Sequence, residues 1–212
     1  MKIWAFVAAA GAAILLSGCA TVSREQCEAG DWPEIGKSHA LQGFPASRLE
    51  NVVEDCGRHS IAVDTEAYMK GWGMGVRAYC TPQRGFEDGR TGKRPSFSCP
   101  ADLAVDYDDA RRLGGRLKEA EDDVSLSESN LERSRRQVDD LGERIAALDC
   151  MQEDQAARRS CRLERERLRD RRSSARFSLE SSRRDLRQAQ RERDVVFEDV
   201  MAAYARRFSR EP

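Results

Sequence analysis

From residue 103 the chain places a small or apolar residue at every seventh position: Leu103, Ala110, Leu117, Val124, Leu131, Val138 and Ile145. Leu113, Ala120, Leu141 and Leu148 fill a companion seam, with Ser127 and Ser134 as small polar gaps. This is a coiled-coil pattern, in which one helical face must lie against another helix. Carried past Leu148, the same phase falls on Gln152, Arg159, Glu166, Ser173, Glu180 and Arg187, so the seam turns polar. A second seam takes over in a different phase: Leu168, Ala175, Ser182, Ala189, Val196 and Ala203, beside Leu179, Leu186 and Val200. The simplest reading is two helices, about 102–149 and 162–208, folded back antiparallel near residues 150–160. At 1.5 Å per residue each arm is about 70 Å long.

Charge supports the hairpin. Residues 101–149 carry 14 acids against 8 bases, and residues 150–212 carry 12 acids against 17 arginines. An acidic helix beside a basic one sets partner and direction, although exposed pairs are worth at most about 1 kcal/mol each. The connection from Met151 to Ser160 contains no Gly, Pro or Asn and favours helix. One continuous helix therefore stays open as the alternative. Cys150 and Cys161 would then lie about 16 Å apart and could bond only to another subunit. With a net charge of −1, the chain as a whole is no binder of nucleic acid.

The N-terminus has one early cation, Lys2, an apolar run from Ile3 to Leu16, and the ending Leu16-Ser17-Gly18-Cys19. This is the layout of a secretory signal. The run is shorter than the roughly 20 residues a membrane-spanning helix needs. The ending resembles the lipobox of bacterial lipoproteins, which implies a signal over 1–18, lipidation of Cys19 and a mature chain anchored by acyl groups. Ala20 after that cysteine resembles the sorting signal for the outer membrane, facing the periplasm. Residues 19–26 then form a lipidated tether. Six further cysteines remain, an even number suited to three disulfides in an oxidising compartment. Proximity in sequence favours Cys27–Cys56, Cys80–Cys99 and Cys150–Cys161 among the 15 possible pairings.

Composition changes at Pro100, which marks the expected boundary between a glycine- and cysteine-rich domain, 27–100, and the coiled coil, 101–212. In the first part Ser47 to Cys56 reads as helix. A second helix starts at the candidate N-cap Asp64 and ends before Thr81-Pro82. Residues 83–98, with Gly85, Gly89, Gly92 and Pro95, read as turns with room for one short β-hairpin. The fold class is mainly α.

The segment from Cys27 to Pro100 resembles domain-of-unknown-function family 2799 of Gram-negative lipoproteins. The resemblance rests on Cys27, Asp31-Trp32, Ile35-Gly36, Gly43, Cys56, Tyr68, Gly71, Gly75, Tyr79-Cys80-Thr81, Gly85-Phe86, Gly89-Arg90, Gly92 and Cys99-Pro100. Ser98 departs from the pattern, as does the long coiled coil behind it. The resemblance implies an envelope location and a shared small fold, and carries no catalytic residue.

No motif points to an enzyme, a metal or a cofactor. Gly71-Trp72-Gly73-Met74-Gly75 lacks the spacing of a nucleotide loop and sits in a predicted helix, where Gly71 and Gly75 allow close packing. His39 and His59 have no catalytic company. Trp32, Tyr68, Trp72, Tyr79 and Phe86 read as a small core. Tyr68 and Trp72, exposed beside Arg77 and Arg90, would instead form a groove for a glycan or anion. The arginine run from Arg162 to Arg172 is interleaved with Glu164, Glu166 and Asp170 and reads as a solvated coiled-coil face. The expected role is a lipid-anchored scaffold or adaptor that meets an envelope protein, or a second copy of itself, through the coiled coil. The alternative is a ligand-binding module in 27–100 with the coiled coil as spacer.

Overall fold

The computed structural model describes residues 21–208, so the signal segment, Cys19 and Ala20 lie outside the described residues. All regular structure among the described residues is helical: α1 (Arg24–Ala29), α2 (Trp32–Leu41), α3 (Arg48–Gly57), α4 (Thr65–Tyr79), α5 (Pro82–Thr91), α6 (Ala101–Ala147) and α7 (Gln155–Phe208). Packing divides the chain into two compact units. Among the described residues the first comprises 21–81 together with Pro95–Ala104; the second comprises Pro82–Arg94 and 105–208. The compositional break at Pro100 therefore differs from the division by packing.

In the first unit the expected tether is partly folded. Val22 is buried among Cys27, Trp32, Ile35, Val52, Cys56 and Tyr68. The Thr21 N–H donates to Asp55 at 2.6 Å. Ser23 caps α1, accepting from the Gln26 N–H while the Gln26 side chain accepts from the Ser23 N–H. This reciprocal cap satisfies two orphan donors and starts the helix at Arg24. Asp31 caps α2 and Asp64 caps α4, each satisfying one first-turn donor. Cys27–Cys56 ties α1 to α3, and Cys80–Cys99 closes the second loop. By loop entropy each restrains the unfolded chain by about 3 kcal/mol.

In the second unit residues 82–91 are helix, not turns or a hairpin. Pro82 occupies the first helical position, where its missing N–H costs nothing. Gly85 and Gly89 lie four apart on the face toward α6, where an added Cβ would come within 2.3 Å of the Tyr107 carbonyl oxygen and 2.0 Å of that of Arg111. These glycines are there for close approach. Gly92 alone in this segment takes the left-handed conformation, at φ +69°.

Helices α6 and α7 form the antiparallel hairpin. Val138, Leu141, Leu168 and Ala175 make its buried seam near the tip, flanked by Ile145, Leu148 and Leu179. Ser134, a polar gap in the first seam, meets Ser182 of the second and shares a hydrogen bond with it at 3.0 Å. Farther along, Arg116 pairs with Asp199 at 2.6 Å and Arg207 with Asp106 at 2.8 Å. A continuous helix is ruled out by a break after Ala147 and by Cys150–Cys161, whose Cα atoms lie 5.5 Å apart. The break has a local cause. Asp149 accepts from the Met151 N–H, and Asp154 caps α7 by accepting from the Ala157 N–H at 2.6 Å. Helix α7 thus begins at Gln155, seven residues before the position expected from its seam.

Candidate functional site

Helices α2 and α4 cross through small residues. A Cβ on Gly36 would lie 2.1 Å from the Tyr68 carbonyl oxygen, one on Gly71 would lie 1.9 Å from that of Pro33, and one on Gly75 would lie 2.5 Å from that of Lys37. No side chain fits in those gaps, so the backbones themselves are in contact. Ala40 closes the end of the crossing, buried against Gly75. One buried polar pair sits inside: the Tyr68 hydroxyl meets His39 Nδ1 at 2.8 Å. Burial lowers the pKa of His39, and the nearby Arg48 charge lowers it further. Burial pushes the Tyr68 hydroxyl up to about 12. Both groups are therefore neutral near pH 7 and share a proton donor and an acceptor without a buried charge.

Helix α5 and the start of α6 repeat this crossing residue for residue. Pro33, Gly36, His39 and Ala40 on the first helix and Gly43 just after it correspond to Pro82, Gly85, Asp88, Gly89 and Gly92. On the second helix Tyr68, Gly71 and Gly75 correspond to Tyr107, Ala110 and Gly114. The contacts correspond too. Gly85 faces the Tyr107 carbonyl as Gly36 faces that of Tyr68, and Gly114 faces the Phe86 carbonyl as Gly75 faces that of Lys37. Gly43 and Gly92 both follow their helix at positive φ. The polar pair recurs with a change of chemistry, since the Tyr107 hydroxyl donates to the Asp88 carboxylate at 2.6 Å. Asp88 is also within 3.3 Å of Arg84. The chain thus contains one crossing module twice. The signal in the sequence was Pro-x-x-Gly-x-x-(His or Asp)-(Ala or Gly)-x-x-Gly, followed by Tyr-x-x-(Gly or Ala)-x-x-x-Gly.

The residues proposed for a ligand groove go to separate tasks. Tyr68 is wholly buried. Trp72 donates its indole N–H to the Phe44 carbonyl at 3.1 Å and packs edge-on to Phe97. Arg77 pairs with Asp102 at 2.6 Å, which raises the arginine pKa and lowers that of the carboxyl. Arg90 pairs with Glu121 at 2.7 Å and belongs to the second unit, whereas the other three belong to the first. His59 is exposed. The six disulfide candidates pair as proximity suggested. Among the described residues no group of three or more His, Cys, Asp or Glu is placed to hold a metal ion. No helix among them is long and apolar enough to cross a membrane.

The hairpin carries two surface features on α7, the second of them partly covered. Leu163, Phe177 and Val195 are 56%, 76% and 69% exposed. They are spaced by about four and five helical turns and so share one face. That face is turned away from the Leu168–Ala175 seam. The second feature is a line of arginines at Arg158, Arg162, Arg165, Arg169, Arg172 and Arg176, at alternating spacings of four and three. Glu166 stands four residues after Arg162 and three before Arg169, so it borders this line, while Glu164 and Asp170 lie off it. Across the hairpin, Arg172 lies beside Gly142, and the Arg165 guanidinium donates to the Leu148 carbonyl.

Residues 31–115 match the family described as Protein of unknown function (DUF2799). The matched stretch starts at the cap of α2 and ends at Gly115, so it takes in both copies of the crossing module. Comparison with curated proteins and with solved structures gives no significant match.

Proposed function

We infer that this chain is a lipid-anchored protein of the Gram-negative envelope, held at the outer membrane through Cys19. It works by contact, as a scaffold or adaptor, and not by catalysis. The observation that carries this reading is the row Leu163, Phe177 and Val195 on the outer face of α7. Large apolar side chains in register on a solvent face are what a partner helix packs against, and the arginine line, about a third of a turn round the helix, supplies charge toward an acidic neighbour. The partner is an envelope protein or a second copy of the hairpin.

The anchor adds a constraint. Only two residues separate Cys19 from the buried Val22, a reach of at most about 10 Å. The first unit therefore rests at the membrane surface.

The test is photo-cross-linking in intact cells, with a benzophenone amino acid replacing Phe177 and, as control, Met74 on α4. The expected result is a discrete adduct from position 177, lost when L163Q and V195Q are added, with none from position 74. Equal labelling from both positions, or an adduct indifferent to L163Q/V195Q, overturns the reading.

A further inference from the structure

The two crossings differ at one rim. After Gly75 comes Val76, which is buried; its counterpart after Gly114 is Gly115, where an added Cβ would meet nothing within 4 Å. After Gly43 comes Phe44, which lies 4.1 Å beneath the Arg48 guanidinium and whose carbonyl accepts the Trp72 indole N–H; its counterpart after Gly92 is Lys93. The counterpart of Trp72 itself is Arg111. Three apolar residues close the rim of the first crossing. In the second they are glycine, lysine and arginine, and the space they leave is a cleft of about 370 Å³.

The cleft is cationic. Lys93, Arg94, Arg111, Arg112 and Arg116 line it against two acids, Asp88 and Glu119. Asp88 is committed to Tyr107 and Arg84. Arg111 and Arg112 pair with Asp108 and Asp109 in half-buried ion pairs on their own helix, and Arg116 pairs with Asp199 in an exposed one, which is weak and exchangeable. The side chains of Lys93 and Arg94 make no hydrogen bond or ion pair among the described residues. Glycine weakens a helix interior. At Gly114 packing demands it, because a Cβ would lie 2.0 Å from the Phe86 carbonyl oxygen; at Gly115 packing does not. Its effect there is to keep the cleft open.

We propose that this cleft binds a phosphate group, carried by a free phosphorylated small molecule or by a lipid headgroup. Guanidinium forks match phosphate oxygens in pairs, and several cations in one concave site suit a multiply charged anion. In the first crossing the corresponding residues are apolar: Val76 is buried and Phe44 stacks beneath Arg48.

The test uses the full, detergent-solubilised chain at physiological salt, with inorganic phosphate and glycerophosphoglycerol as probes and amide NMR shifts as readout. The expected result is saturable shifts over residues 89–94 and 111–116, with G115V, which installs the residue of the first copy, weakening binding at least tenfold. K93A/R94A weakens it similarly. Both variants keep the wild-type circular dichroism, because neither site is packed. Tighter binding of glycerophosphoglycerol assigns the group to a lipid headgroup, and tighter binding of inorganic phosphate to a free phosphate; either supports the site. The proposal is overturned by shifts that do not saturate, or by binding that K93A/R94A weakens and G115V leaves intact, which marks surface attraction without a built cleft.

Discussion

The two crossings share two backbone contacts, those of Gly36 and Gly75 with those of Gly85 and Gly114, exchange Ala40 and Gly71 for Gly89 and Ala110, and carry opposite chemistry around them. The first buries a neutral pair, His39 and Tyr68, is closed by Val76 and Phe44, and sits in a unit held by two disulfides. The second buries a carboxylate against Tyr107, leaves Gly115 uncovered, and has no disulfide in the crossing itself. What the copies share is what close helix packing requires: small residues four apart, a tyrosine one turn before them, and a left-handed glycine after the first helix. What differs is free to serve something other than packing. The second copy also continues into the hairpin, because α6 supplies both its tyrosine helix and the first arm.

Filling the shared contacts gives the largest effect. G75V and G114V, at corresponding positions, each drive a side chain into a backbone carbonyl 2.5 or 2.0 Å away and should destabilise by about 3 kcal/mol or more, above the usual range for overpacking. If thermal unfolding shows one tolerated and the other not, the equivalence of the crossings breaks. Removing Cys27–Cys56 as C27A/C56A should cost about 3–4 kcal/mol, and hydrogen exchange should place the loss in the first unit with α5–α6 protected as before.

Next come the tyrosines. Y107F removes a bond to a carboxylate and should cost about 1.5–3 kcal/mol, whereas Y68F removes a neutral bond worth about 1 kcal/mol. Chemical denaturation of the two variants ranks them; a reversed order would contradict the contrast in buried chemistry. The smallest effect is pH dependence. His39 has a folded pKa below its ordinary value of 6.5, so the unfolded state takes up its proton first. Its contribution is fully present above about pH 6.5 and is lost as pH falls from there toward the folded pKa. Melting temperatures from pH 7 to 5 should fall more steeply for the wild type than for H39Q.

The hairpin was legible because a seven-residue period over six heptads requires a partner helix, and because the change of phase after Leu148 favours a reversal; the helix-favouring connection left a continuous helix open until the structure showed the break. Its disulfide followed from sequence proximity. The cap at Asp154 was missed, since a lone aspartate in an otherwise helix-favouring run gives a weak signal. Helix α5 was misread for a different reason. Glycines mark turns when they supply positive φ, as Gly92 does, but Gly85 and Gly89 are glycines because another backbone touches them, and only the partner helix reveals that. The internal repeat was hidden by three substitutions, His to Asp, Ala to Gly and Gly to Ala, and by unequal spacing. The first copy carries α3 between its two helices, and the second has only a short link. The cationic cleft depends on that repeat, because Gly115 is informative only beside Val76.

The most direct test of the shared register is a pair of adjacent substitutions, G114A and G115A, compared by thermal unfolding. Gly114 meets the Phe86 carbonyl and Gly115 meets nothing. The two should therefore shift stability in opposite directions: G114A strongly downward, and G115A upward by about 0.5–1 kcal/mol from helix propensity alone. Shifts of the same sign would contradict the placement of Gly114 in a backbone crossing equivalent to that of Gly75.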